Sequence, residues 1–314
     1  MNHSAVIDTL DATAITRMLQ QRFDPQVRDV ALIGAGAWSR CFGFTRGGEA
    51  LVVRVGRHGD DFARDAHAAR YASPALPVPA LLALGELADG YYAISTRAWG
   101  EPLEQLDATA WSLALPATVA LLAALRQLAA PAGAGWGTWD AAGRGTFGSW
   151  SAYLLDVLVD SPASRTHGWR QRLGEIDDGP AEFAWGAALL QQIVDDAVPH
   201  GVIHGDLMHR NVLVDGPRIS GVFDWGCAAY GDPLYDLAWF QFWAPWHPNL
   251  GVDALTAGLR GHAAAAAPAD DDRRRLACVL HIGLDHLAYN AWLRDWPMLR
   301  ATARRMRELV ASTT

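Results

Sequence analysis

Residues 204–225 read HGDLMHRNVLVDGPRISGVFDW. Asn211 opens one apolar run, Val212 to Val214, and Asp224 closes a second, Ile219 to Phe223, with the turn chemistry Asp215-Gly216-Pro217 between them. The pattern predicts a β-hairpin. Symmetric pairing about the turn sets Asn211 opposite Val222 and Asp224 opposite His209, so both polar side chains and the loop holding Asp206 gather at one open end. A carboxylate and an amide oxygen there can hold Mg²⁺ on a nucleotide's phosphates, while a second carboxylate accepts a hydroxyl proton. Any one of the three residues alone reads as an ordinary turn or cap residue. Their order around one hairpin points to phosphoryl transfer.

HGD-x-x-x-x-N followed by VFDW resembles the aminoglycoside phosphotransferase family, a branch of the protein-kinase-like fold. The resemblance implies that Asp206 is the catalytic base and that Asn211 and Asp224 are Mg²⁺ ligands. Protein kinases carry HRD and DFG at these places, so Gly205 and Trp225 point to the small-molecule branch. The implied fold is α+β and bilobal, with a small antiparallel sheet lobe over residues 1–98 and a larger, mainly helical lobe over 99–314.

With 314 residues, of which 51% are hydrophobic, the chain can bury a sizeable core as one large domain or two lobes. Cys41, Cys227 and Cys278 lie far apart, which predicts reduced thiols and a cytoplasmic protein. Met1 to Asp11 has neither a basic n-region nor an apolar h-region, so no secretory signal is expected. The uncharged run Ala108 to Leu125 reads as a buried helix, and no membrane association is expected. A net charge of -8 argues against a nucleic-acid partner and favours a cationic substrate, although mild acidity also serves solubility. A monomer is expected. Arg displaces Lys, as GC-rich coding would produce.

Asp11 followed by Ile15, Met18, Leu19 and Phe23 predicts a capped amphipathic helix. A strand over Ala31 to Ile33, a glycine loop over Gly34 to Ser39, a strand over Cys41 to Phe44, a Gly47-Gly48 turn and a strand over Ala50 to Val55 follow. In the kinase-like plan the backbone amides of Gly34, Gly36 and Ser39 lie over the phosphates. Asp60 to Ala72 predicts a short helix that Leu76-Pro77-Val78-Pro79 cannot continue. Tyr91 to Ser95 predicts a strand, and Ser95, Arg97 and Ala98 belong to a hinge whose backbone meets the purine of ATP, or of GTP. Leu121, Leu122, Leu125 and Leu128 share a helix face, Gly133 to Gly148 reads as a loop, Ala181 to Val194 as a helix, and His262 to Ala269 as a helix end plus loop.

Arg54 stands where most kinase-like enzymes place a Lys to steady the phosphates, and its planar fork can do this bidentately. A solvent-facing strand Arg is the alternative. The family resemblance calls for an acidic partner on the following helix, and Asp65 is the candidate, with Asp61 as alternate. Asp232 reads as a helix cap before Pro233, Asp236 as structural, and His204 as a brace of the catalytic loop. The spacing of His200, His204 and His209 fits no usual zinc pattern. Tyr71-Ala72-Ser73-Pro74-Ala75-Leu76-Pro77-Val78-Pro79, Ile94 to Ala98, Phe242-Trp243-Ala244-Pro245-Trp246 and Ile282-Gly283-Leu284-Asp285 resemble the branch of the family that acts on hygromycin. Trp239 reads as core. Trp243 and Trp246, separated by the helix breaker Pro245, are expected to pack on a sugar's C–H faces and ammonium groups, and Asp285 to meet an ammonium group; burial and solvation are the respective alternatives. The implied activity is phosphorylation of a hydroxyl of an aminoglycoside or aminocyclitol antibiotic, hence resistance. The rivals are a kinase of another small alcohol, such as a macrolide, choline, homoserine or a sugar, and a nucleotide-binding pseudokinase.

Overall fold

The computed structural model describes residues 10–36, 38–262 and 271–313, so Met1 to Thr9 of the expected leaderless N-terminus and residues 263–269 of the expected helix end lie outside it. The described chain opens with α1 (Ala12–Arg22), capped by Asp11, whose Oδ1 accepts the Ala14 N–H at 2.8 Å. Five antiparallel strands follow: β1 (Arg28–Ala35), β2 (Ser39–Arg46), β3 (Glu49–Gly56), β4 (Leu81–Leu87) and β5 (Gly90–Thr96). They lie in the order β1-β2-β3-β5-β4. Alternation along β3 sends Leu51, Val53 and Val55 into a core with Ile15, Leu19 and Phe42, and turns Val52 and Arg54 to the other face. β1 runs to Ala35 and β2 starts at Ser39, so the glycine loop is shorter than the sequence suggests. The Gly36 N–H closes it by donating to the Ser39 carbonyl at 2.9 Å.

Between β3 and β4 lies α2 (Gly59–Ala68), which ends a turn before the expected Ala72 and tightens into a 3₁₀ turn over Ala69–Tyr71. Ala68 and Leu76 already pack in the larger core of the C-terminal region. After β5 the chain crosses close to the predicted hairpin: Gly100 has φ of 134°, and a Cβ there would lie 2.2 Å from the Val214 carbonyl oxygen. Only glycine permits that crossing. β6 (Glu101–Pro102) then leads to α3 (Ala108–Gln127). By length and composition α3 could cross a membrane. In the fold it is the expected buried helix along one face, Trp111, Ala114, Thr118, Leu121, Leu122 and Leu125, while Leu113 on the other side is 59% exposed.

Gly133 to Gly148 is a hairpin rather than a loop, with β7 (Trp136–Trp139) paired to β8 (Gly145–Phe147). A Cβ on Gly135 would lie 2.4 Å from the Gly145 carbonyl oxygen, so the glycines that suggest a loop are what lets these backbones approach. Three helices, α4 (Trp150–Asp156), α5 (Trp169–Leu173) and α6 (Gly179–Ile193), precede β9 (Gly201–Ile203). The predicted hairpin is β10 (Val212–Asp215) with β11 (Arg218–Val222), and β6 adds to its outer edge. β12 (Ala229–Gly231) completes a sheet of order β8-β7-β12-β9. The remaining helices are α7 (Tyr235–Trp243), α8 (Val252–His262), α9 (Asp271–Leu293) and α10 (Trp296–Ala311).

The hairpin's register departs from the symmetric one. Asp215 pairs with Arg218 and Val214 with Ile219, but Leu213 then pairs with Gly221 and Val212 with Val222, leaving Ser220 as an extra residue. The Ser220 hydroxyl donates to the Trp99 carbonyl at 2.5 Å. Asn211 consequently faces Phe223, whose N–H donates to the Asn211 carbonyl at 3.0 Å, and the expected Asn211–Val222 and Asp224–His209 pairs do not form.

Candidate active site

The loop between β9 and β10 is held in a conformation few sequences adopt, with positive φ at Gly205 (80°), His209 (56°) and Arg210 (70°). Buried Asp236 accepts the His204 N–H at 3.0 Å and the Gly205 N–H at 2.9 Å. His204 Nδ1 accepts the Asp206 N–H at 3.2 Å, so its Nε2 carries the proton and donates to the Phe223 carbonyl, also at 3.2 Å. This is the expected brace: His204 ties the loop to the end of β11. The Arg210 N–H donates to Glu104 Oε1 at 2.7 Å.

The carboxylate of Asp206 accepts from two neighbours, His209 Nδ1 at 2.7 Å and Asn211 Nδ2 at 3.0 Å. Burial opposes a charge on His209, but Asp206 outweighs it and raises the imidazole above its ordinary range. Because the Asn211 nitrogen faces acceptors, its Oδ1 points away from them with no hydrogen bond among the described residues. Asp224 has φ of 60° and ψ of 67°, which turns its side chain towards β3. Arg54 Nη1 donates to Asp224 Oδ1 at 2.7 Å and Arg54 Nη2 to Asp65 Oδ2 at 2.6 Å. Asp65 Oδ1 accepts the Trp225 N–H at 2.8 Å. Burial pushes the Asp65 carboxyl up to about 6 against the pull of Arg54. Burial also opposes the Arg54 charge, but Asp65 and Asp224 outweigh it and hold the guanidinium above its usual range.

Asp61, the alternate partner for Arg54, is engaged elsewhere: Arg165 grips it at 2.8 and 3.0 Å, and Arg64 at 3.2 Å. Asp65 is thus the carboxylate on α2 that meets Arg54. Asp232 does not cap α7 as expected, since the helix starts at Tyr235 with Leu234 as its N-cap; it accepts the Leu234 N–H at 3.0 Å in the turn before the helix and forms a buried pair with Arg274 at 2.7 Å. His200 stacks on Trp136, with ring centroids 3.9 Å apart, while His204 and His209 take the roles above.

A cavity of about 520 Å³ opens between the five-stranded sheet and the β10–β11 hairpin. Its lining includes Gly34, Gly36, Ser39, Arg54, Asp65, Ser95, Arg97 and Ala98, together with Asn211 and Asp224. Its apolar walls, Ile33, Val52, Ala93, Leu213 and Phe223, were not singled out from sequence, although the alternation around Arg54 already places Val52 beside it. The Arg97 guanidinium lies 3.8 Å from the ring centroid of Trp99 at the cavity's edge. Cys41 also lines the cavity, and burial pushes its thiol up to about 11.

The expected acceptor residues lie outside this cavity, and His209 connects the two regions. Trp243 is only 5% exposed and packs edge-on against His209 and His286, at 5.5 and 4.7 Å between centroids. Its burial favours the core alternative over a place in an open pocket. Trp246 is half-buried, 5.1 Å from Trp243, and Trp239 is core as expected. Asp285 is exposed on α9, beside His286.

The sequence profile of the phosphotransferase enzyme family matches residues 29–277. Hygromycin-B 4-O-kinase of Escherichia coli is 30% identical over 280 residues, which are 88% of this chain and 79% of that protein. Viomycin phosphotransferase of Streptomyces vinaceus is 56% identical over 50 residues, 14% of this chain and 17% of that protein. Among solved structures, a thermostable mutant of aminoglycoside phosphotransferase APH(4)-Ia in ternary complex with AMP-PNP and hygromycin B superposes with a TM-score of 0.80. It is 28% identical, and the match covers 95% of this chain and 98% of that one.

Proposed function

Because the chain belongs to the phosphotransferase enzyme family, we propose that it transfers the γ-phosphoryl group of ATP to a hydroxyl of an aminocyclitol antibiotic of the hygromycin kind. The observation that carries this reading is the meeting of Asn211, Asp224, Arg54 and Asp65 in the lining of one cavity with apolar walls, with Asp206 beside it, bonded to the lining residues His209 and Asn211. Apolar walls and the Ser95 to Ala98 backbone suit a purine, and the cationic fork of Arg54 suits its phosphates. Residues 1–98 then act as the nucleotide-binding lobe and 99–314 as the catalytic and acceptor lobe.

Asp206 orients the acceptor hydroxyl and takes its proton as the oxygen attacks phosphorus; the donors His209 and Asn211 fix the carboxylate for this. Arg54, itself fixed by Asp65, steadies charge on the phosphates. Asn211 Oδ1 and Asp224 Oδ2 are oxygen donors without hydrogen bonds among the described residues, which suits a hard cation, and these two residues would hold Mg²⁺. When bound, the ion neutralises phosphate charge. Trp246 and Asp285 face the acceptor, and Trp243 supports the Trp246 ring from the core side.

Purified protein incubated with Mg·ATP and hygromycin B should yield a product heavier by one phosphoryl group, and expression in a sensitive bacterium should raise its hygromycin tolerance. Turnover of viomycin, homoserine or choline in the same mass-spectrometric panel, with none of hygromycin B, would transfer the assignment to another small-molecule kinase. ATP binding without turnover of any acceptor would leave the pseudokinase reading.

A further inference from the structure

Trp38 stands at the tip of the β1–β2 hairpin, the loop that borders the cavity. Its neighbours Ala35 and Gly36 are exposed, whereas Trp38 is half-buried. What covers it comes from the far end of the chain. The indole stacks on Trp292 of α9, with centroids 5.8 Å apart and planes at 29°. His58, just before α2, meets it edge-on at 5.7 Å, and the guanidinium of Arg165 lies 5.6 Å from its ring centroid. Both partners are themselves held: Arg165 by its paired bonds to Asp61, and Trp292 by Arg172, which bonds its carbonyl and lies over its ring.

The stack also begins a file of rings along α9. Trp292 stacks on Tyr289 at 6.2 Å, Tyr289 meets His286 at 6.4 Å, His286 meets Trp243 at 4.7 Å, and Trp243 meets His209, the donor to Asp206. The loop beside the nucleotide cavity and the loop carrying the acidic base are therefore joined by continuous aromatic contact.

We propose that Trp38 is a positioning residue: by stacking on Trp292 it holds the β1–β2 loop closed over bound nucleotide and registers that loop against the acceptor helix, so nucleotide leaves only when the stack parts. The proposal rests on the cavity being the nucleotide site. Neither ring touches reacting atoms, so the effect belongs to retention and registration rather than to chemistry.

Release of N-methylanthraniloyl-ADP in the presence of Mg²⁺, followed by stopped-flow fluorescence, tests this without any antibiotic. Trp38→Ala and Trp292→Ala should each speed release about two- to tenfold, the weight of one aromatic pair. The double variant should be no faster than Trp38→Ala alone, because that variant already lacks the contact to Trp292. Trp38→Phe, which keeps a stacking ring, should restore slow release and guards against a misfolded alanine variant. Unchanged release from Trp38→Ala, or effects that multiply in the double variant, would overturn the proposal alone. Absence of any binding of the labelled ADP to the wild-type protein would overturn the nucleotide reading and the proposal with it.

Discussion

Asp206 is fixed by donors on both oxygens, so Asp206→Asn preserves shape while removing the proton acceptor. Turnover should fall by about 10²- to 10⁴-fold with the Kd for AMP-PNP within a factor of about two, as measured by steady-state kinetics and calorimetry. Near-normal turnover would remove Asp206 from the mechanism. The two tryptophans after α7 make opposite forecasts. Trp246→Ala should raise the acceptor KM roughly tenfold and leave the ATP KM alone. Trp243→Ala should instead cost about 3–5 kcal/mol of stability, because its indole is buried among His209, Trp239 and His286. Thermal melts beside both KM values separate them, and a stable Trp243→Ala protein with a raised acceptor KM would return Trp243 to the pocket. At this scale the sequence conveyed residue type and order well: the Asp, Asn, Asp series and Arg54 needed only a hairpin and a strand to converge. It placed Asp65 ahead of Asp61 without a physical ground for the order; what claims Asp61 is Arg165, about a hundred residues further along the chain.

Elements were legible where periodicity was strong and obscure where backbone proximity governed. α1, β3 and the β10–β11 hairpin follow from caps, alternation and turn chemistry. β4 has the sequence LLALGEL, with little β-branched content, and forms as an edge strand because β5 offers it a partner. The bulge at Ser220 has no local signal; it arises against Trp99. α9 carries a titratable element within the core. His281 accepts or donates a hydrogen bond with the Tyr235 hydroxyl at 2.9 Å, and burial lowers its pKa from 6.5 to about 4. Above pH 6.5 the ring is neutral in both folded and unfolded chains and costs nothing. As pH falls below that value the unfolded chain binds a proton that the folded one refuses until about 4, so stability is lost over this window. From pH 7.5 to pH 5 the loss should be about 2 kcal/mol from this residue, read by urea unfolding. His281→Asn should flatten that part of the profile, and an unchanged slope would mean that the ring is protonated within the core.

Across the whole molecule, the cavity is built from segments distant in sequence: Arg54 on β3, Asp65 on α2 and Asp224 after β11 meet in one chain of ion pairs. Family resemblance conveyed that meeting, whereas composition and periodicity alone did not, since neither reports which elements face each other. Binding at such a junction should stabilise the entire fold. AMP-PNP with Mg²⁺ at a hundred times its Kd should add about 2.7 kcal/mol and raise the melting temperature. Asp224→Ala should lose the Mg²⁺-dependent part of that rise; a rise that persists unchanged would make Asp224 a structural residue only. The cation at the junction has a further consequence. The 314 residues include no lysine, and the part of the cavity proposed to take the phosphates presents a guanidinium in place of a primary amine. Acyl-phosphate and aldehyde derivatives of nucleotides, which mark kinases by acylating or condensing with an amine, should therefore leave the proposed nucleotide site unlabelled, and neither lysine acetylation nor lysine-linked ubiquitin can form on any of these residues.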